Sequence, residues 1–149
     1  MIIQAAMGWT NSHLHEFLIK GQRYRDLEQM YEDVDEPDMH DEQEFRLKKL
    51  VDEGDVFEYE YDFGDCRQHE IAVEKVMEPE AGVRYPLCLA GERACPLEDC
   101  GGPWGYDELL KVLGDPGHEE YEHYRGWAGE DFDAERFDLE KANRALKRA

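Results

Sequence analysis

Residues 56–63 read Val-Phe-Glu-Tyr-Glu-Tyr-Asp-Phe. In an extended strand successive side chains point to opposite faces. Phe57, Tyr59, Tyr61 and Phe63 then share one face, and Glu58, Glu60 and Asp62 share the other. This strict alternation of apolar and acidic residues is the signature of a half-buried strand. Gly64 and Asp65 supply a turn, and residues 69–77 can return as the second strand of an antiparallel pair.

The remaining elements follow from local pattern. Ile2, Ile3, Ala6 and Met7 are apolar at helical spacing, and Gly8 stops that helix. Residues 13–19 read as a strand ended at Gly21, with a short strand at 22–24 after it. Residues 26–44 are dense in carboxylates, hold no Lys or Arg and contain Pro37, which predicts an exposed acidic loop. A short helix is expected at 47–53, closed by Gly54. Residues 85–106 are rich in Pro, Gly and Cys and read as ordered loop. Short helices are then expected at 106–113, with Leu109, Leu110 and Leu113, and at 118–127. A last helix capped by Asp138 carries Leu139, Ala142 and Leu146, and its basic end (Arg144, Lys147, Arg148) suits the helix dipole. Strands first and helices afterwards, without βαβ alternation, predict an α+β fold: an antiparallel sheet with short helices mostly in the C-terminal half. A chain of 149 residues, 41% hydrophobic and 11% aromatic, suits one globular domain with its own core.

Charge narrows the partners. The chain carries 37 acidic against 17 basic residues, a formal charge of −20. Binding a polyanion depends on Lys and Arg, so direct nucleic-acid binding is not expected. A protein partner of basic character is the complementary expectation, with solubility alone as the plainer reading of the charge. No apolar run is long enough for a bilayer, and the first residues lack a basic leader segment, so no membrane association is expected and the cytoplasm is the expected location.

Three places concentrate reactive side chains. His13 and His15 stand two apart, which on a strand puts both imidazoles on one face, as for two ligands of one metal ion; two hydrogen-bonded edge histidines are the plainer alternative. Asp62 and Asp65 flank a glycine turn with His69 four residues on. They can hold a cation or serve as an acid–base set, or simply build the turn. Cys88, Cys95 and Cys100 follow Cys-x6-Cys and Cys-x4-Cys spacings, wider than the usual pairing in zinc sites. A zinc site completed by a histidine and a set of small buried thiols are both open. No Walker A motif, dinucleotide-binding glycine pattern or serine-hydrolase elbow occurs.

Taken together, several stretches resemble the plasmid pRiA4b ORF-three-like family. They are Met7-Gly8-Trp9 with the segment His13 to Phe17, then Tyr59 to Asp65 with His69. Next come Gly91 to Gly102, Gly105-Tyr106 and Leu109-Leu110, followed by Trp127-Ala128-Gly129 and Phe132-Asp133. The resemblance runs through nearly the whole chain in order. It implies an α+β fold and an accessory or interaction protein associated with plasmids or mobile elements, and it carries no catalytic activity with it. The motif residues it points to for binding are Asp62, Asp65, His69, Glu98, Asp99 and Tyr106. A metal-dependent, hydrolase-like enzyme using His13, His15, Asp62, Asp65 and His69 is the competing expectation. The chain departs from the family pattern at Arg67, where a tryptophan is usual, at Leu97, where a second proline is usual, and at Cys100, often a valine. Members usually begin with an additional strand, so the domain is expected to lack that N-terminal strand, with an exposed sheet edge as the consequence.

Overall fold

The computed structural model describes residues 2–29 and 37–149. Among the described residues the architecture is α+β: a mixed, mostly antiparallel sheet of five strands, and four α-helices, three of them in the C-terminal half. The chain divides into a sheet unit, His13–Ala81, and a helical unit made of Met1–Ser12 and Gly82–Ala149.

The sheet unit holds β1 (His15–Ile19), β2 (Gln22–Arg25), β3 (Met39–Asp41), β4 (Val56–Tyr61) and β5 (Arg67–Ala72), in spatial order β3-β2-β1-β4-β5. Lys20 and Gly21 join β1 to β2 with positive φ at both positions (52° and 78°), the geometry of a tight hairpin turn that follows the twist of the strands. The register sets Phe17 opposite both Tyr24 and Tyr59, and Tyr59 opposite His69. One face of the sheet is therefore apolar and aromatic, with Ile19, Tyr24 and Phe57 buried against Phe17, Leu50, Val51, Ile71 and Val73. The opposite face carries Glu16, Leu18, Glu58, Glu60, Gln68 and Glu70, as the alternation in β4 requires.

Five local readings in the sheet unit change in three dimensions. β4 ends at Tyr61 because Asp62 adopts a left-handed φ of 56°, so Phe63 leaves the aromatic face and lies 4.7 Å beneath the Arg25 guanidinium. β1 starts at His15 and leaves His13 outside the strand, while β5 starts at Arg67 and stops at Ala72. Within the expected acidic loop, residues 39–41 form β3, which runs parallel to β2, and the Arg23 amide donates to Asp38 (2.9 Å). The carboxylates hide this strand because edge pairing uses backbone groups and asks little of the side chains. Residues 30–36 of that loop lie outside the described residues. The helix expected at 47–53 is a single 3₁₀ turn, Leu47–Lys49.

The helical unit holds α1 (Ile2–Met7), α2 (Gly102–Leu113), α3 (Tyr121–Ala128) and α4 (Leu139–Leu146). α1 packs against α4, and α2 against α3. α2 begins four residues earlier than the sequence suggests, since proline in a first helical turn forfeits no hydrogen bond. Gly105 is required there: a Cβ at this position would sit 1.8 Å from the Cys100 carbonyl oxygen. In α4 Asp138 caps the helix as expected, accepting from the Lys141 amide (2.8 Å), and that bond holds its carboxyl below the usual carboxylate range. Asn143 extends from α4 to bond both the amide and the carbonyl of Cys88 (2.9 Å each). The Trp9 indole after α1 donates to the Pro96 carbonyl (3.1 Å).

Tyr59 is wholly buried at the centre of the aromatic face, while Glu58 beside it is exposed. Tyr59→Ala is expected to cost about 3–5 kcal/mol, the range of large aromatic truncations. Glu58→Ala is expected to stay within about 0.5 kcal/mol of the parent. Urea unfolding of both variants checks the contrast, and equal losses would contradict the assigned faces.

Candidate functional site

The turn between β4 and β5 is built by Asp62. Its amide donates to the Leu14 carbonyl (2.9 Å), its carbonyl accepts from the Cys66 amide (2.7 Å), and its Oδ1 accepts from the amides of Gly64 (3.1 Å) and Asp65 (3.3 Å). This is an aspartate folding its own side chain onto a turn. The other carboxylate oxygen, Oδ2, lies 3.7 Å from His13 Nε2, and the His13 ring stands edge-on to Tyr61 at 5.7 Å.

His15 and His69 stand on the same face of the sheet with Tyr59 between them, each imidazole 5.9 Å from the Tyr59 ring. They meet different partners. His15 is buried, and its Nε2 lies 2.9 Å from Glu42 Oε2. Its Nδ1, also buried, has no hydrogen-bond partner among the described residues. His69 Nδ1 bonds the Arg67 carbonyl at 2.9 Å. His13 and His15 therefore reach different carboxylates, Asp62 and Glu42, because His13 precedes the strand that orients His15.

Asp65 is engaged as well. Its Oδ2 lies 3.1 Å from Arg67 Nη2, and both side chains are largely buried. Arg67 stands opposite Tyr61 on the packed face, so a guanidinium occupies a place suited to an apolar ring and is matched by a carboxylate two residues away. Glu42 and Arg67 are the participants that sequence reasoning did not single out as site residues. Arg67 was marked only as a departure from the family pattern, and Glu42 is one carboxylate among many in its loop.

In the helical unit, Glu98 accepts from the Thr10 amide (3.1 and 3.2 Å) and from the Thr10 hydroxyl (2.7 Å). Asp99 takes a left-handed φ of 58° in the turn that leads through Gly101 into α2. Tyr106 sits in the first half of α2. Burial raises its phenol above the ordinary range, Cys95, Cys100 and Glu135 push the same way, and Arg93 opposes them. The Cys88 thiol donates to the Ala90 carbonyl (3.3 Å) and the Cys100 thiol to that of Gly102 (3.9 Å). Among the described residues, Cys88, Cys95 and Cys100 do not bring three ligand atoms within 4.8 Å of one another. All four cysteines are free thiols.

A five-stranded sheet whose β4–β5 turn carries Tyr-Asp-Phe-Gly-Asp, joined in sequence to a helical unit opened by a Cys-Gly-Gly-Pro start to α2, defines the class of protein. The chain belongs to the plasmid pRiA4b ORF-3-like protein family, whose sequence pattern matches residues 1–141. It is 38% identical over 149 residues to the uncharacterized protein y4hQ of Sinorhizobium fredii, covering 97% of this chain and 74% of that one. The crystal structure of the protein of unknown function MM3350 from Methanosarcina mazei Go1 is similar, with a TM-score of 0.79 and 39% identity over 93% of this chain and 78% of that one. Among the described residues no helix is long and apolar enough to cross a membrane.

Asp65→Ala removes the carboxylate beside a largely buried guanidinium and is expected to cost about 1–3 kcal/mol. Asp65→Ala combined with Arg67→Met is expected to recover most of that loss, because no buried charge is then left behind. Thermal unfolding of the single and double variants measures the coupling, and simple additivity would mean that the pair contributes nothing.

Proposed function

We propose that this chain is a non-catalytic interaction protein, an accessory factor that binds a basic protein partner. One observation carries the reading: the candidate acid–base residues are engaged in holding the fold. Asp62 closes its turn, Asp65 matches Arg67, His15 meets Glu42, His69 bonds a backbone carbonyl, and Glu98 secures Thr10. The surface that remains is acidic. The chain bears −20, and on the outward face of the sheet Glu58 stands directly opposite Glu70, a juxtaposition of like charges that costs stability and is tolerable where a function or a partner compensates it. The plasmid in the family's name favours a nucleic-acid-binding protein, with its basic surface, as the partner class.

The complex is expected to weaken steeply between ~0.1 M and ~1 M salt, as the screening length falls from about 10 Å to about 3 Å. Proteins retained on the immobilised chain and eluted along a salt gradient report this directly. A specific partner that stays bound unchanged at the high-salt end sinks the electrostatic reading.

A second reading, metal-dependent hydrolysis, draws on the closeness of His13 Nε2 to Asp62 Oδ2. A metal ion held there would activate water for attack on a phosphoester. It predicts about one zinc per chain after dialysis by elemental analysis, lost in both His13→Ala and Asp62→Asn. Zinc content that is unchanged in these variants removes the pair from consideration.

A further inference from the structure

Within the helical unit, a cleft of about 750 Å³ opens between the end of α2, the side of α3 and residues 130–136. Its apolar lining is Leu110 and Leu113 from α2, Tyr121 from α3 and Phe132 from the loop. Glu130, Asp131 and Asp133 also line it. Arg125 lies in the lining but is held: its Nη1 donates to the Phe132 carbonyl (3.1 Å) and its guanidinium lies over the Tyr121 ring at 5.8 Å. That guanidinium braces the loop against α3 and keeps the wall in shape.

The charge in this stretch of chain is predominantly acidic. Across residues 115–136 the basic residues are Arg125 and Arg136, against Asp115, Glu119, Glu120, Glu122, Glu130, Asp131, Asp133 and Glu135. The cleft also receives the C-terminal end of α2 at Leu113 and Gly114, where the partial negative charge of a helix terminus favours a cation. Arg125 and Arg136 are the opposing cations in the lining, and Arg125 is committed to the Phe132 carbonyl. A lining that sets apolar and aromatic side chains beside carboxylates matches one kind of side chain well: a long aliphatic stem ending in a positive charge, which lays its methylenes on apolar surface and keeps its head among carboxylates. Arginine adds stacking on aromatic faces, here those of Tyr121 and Phe132.

We propose that this cleft is where the basic partner docks, by inserting an arginine- or lysine-bearing segment over Leu110, Leu113, Tyr121 and Phe132 beside Glu130 and Asp131. The proposal rests on the basic-partner reading and adds its location, on α2 and α3 and not on the outward face of the sheet. It also separates two acidic surfaces that net charge alone cannot tell apart.

The test is a titration of the whole isotopically labelled chain with a hexa-arginine peptide, followed by amide chemical shifts at low salt. The expected result is saturable shifts concentrated at Leu113, Gly114, Tyr121 and Phe132. The Glu130→Gln/Asp131→Asn variant, altered at two exposed side chains that hold no hydrogen bond in the described structure, is expected to bind about fivefold more weakly. Glu58→Gln/Glu70→Gln on the sheet is expected to bind as the parent does. If the peptide binds but its shifts spread over the sheet face, or the sheet variant is the weaker one, the cleft is the wrong site while the basic-partner reading stands. If the peptide does not bind at all, the proposal falls together with that reading.

Discussion

Tyr59 lies between Phe17 on β1 and His69 on β5, with no surface left to solvent, and the rest of the sheet is arranged around that row. The Phe17 and Tyr59 rings are 4.8 Å apart, a packing distance worth more than the area it hides. With this row in register, a slip of one residue on β4 would turn its aromatics to water and bring Glu58 and Glu60 into the core. The same constraint decides which histidines are buried. His15 is drawn inside because it shares a face with Phe17, and it is accommodated by Glu42, whose carboxylate lies 2.9 Å from the ring.

The polar residues that look catalytic in the one-dimensional chain are better understood through that constraint. A buried imidazole, a buried guanidinium and a turn aspartate each need hydrogen-bond partners; the structure supplies them at His15 Nε2, Arg67 and Asp62, while His15 Nδ1 has none among the described residues. Asp65 and Arg67 illustrate this best. An arginine faces the core, and the nearest carboxylate is turned to it. Engagement of this kind rigidifies the β4–β5 turn. Exposed carboxylates stand on the sheet's outward face, where Glu58 lies opposite Glu70, and in the cleft beside α2, where Glu130, Asp131 and Asp133 share the lining with Leu110, Leu113, Tyr121 and Phe132.

Much of the architecture was legible in the chain. The alternation of residues 56–61 specifies both the strand and its buried face, since a period of two has a single structural reading, but its extension to Phe63 is cut off by the turn at Asp62. Asp138 with Leu139, Ala142 and Leu146 specifies α4 and its inward face, and Ala142 and Leu146 are indeed buried. Less legible were the elements whose side chains give no periodic signal. β3 is three residues long and is held by backbone pairing to β2. The first turn of α2 is Gly-Pro-Trp-Gly, a sequence that reads as loop until the packing of Gly105 on Cys100 is known.

By itself the sequence determined the α+β class, the buried face of β4, the cap of α4 and the stop of α2, the family and the strong negative charge, because each of these depends on residue type at short spacing or on composition. The tertiary structure decided which distant groups meet: His15 with Glu42, 27 residues apart, Thr10 with Glu98, 88 apart, and Leu110 with Phe132 in one cleft. Such pairings depend on strand register and on how helices pack. These are fixed only when the whole core closes, so no local pattern in the chain carries them.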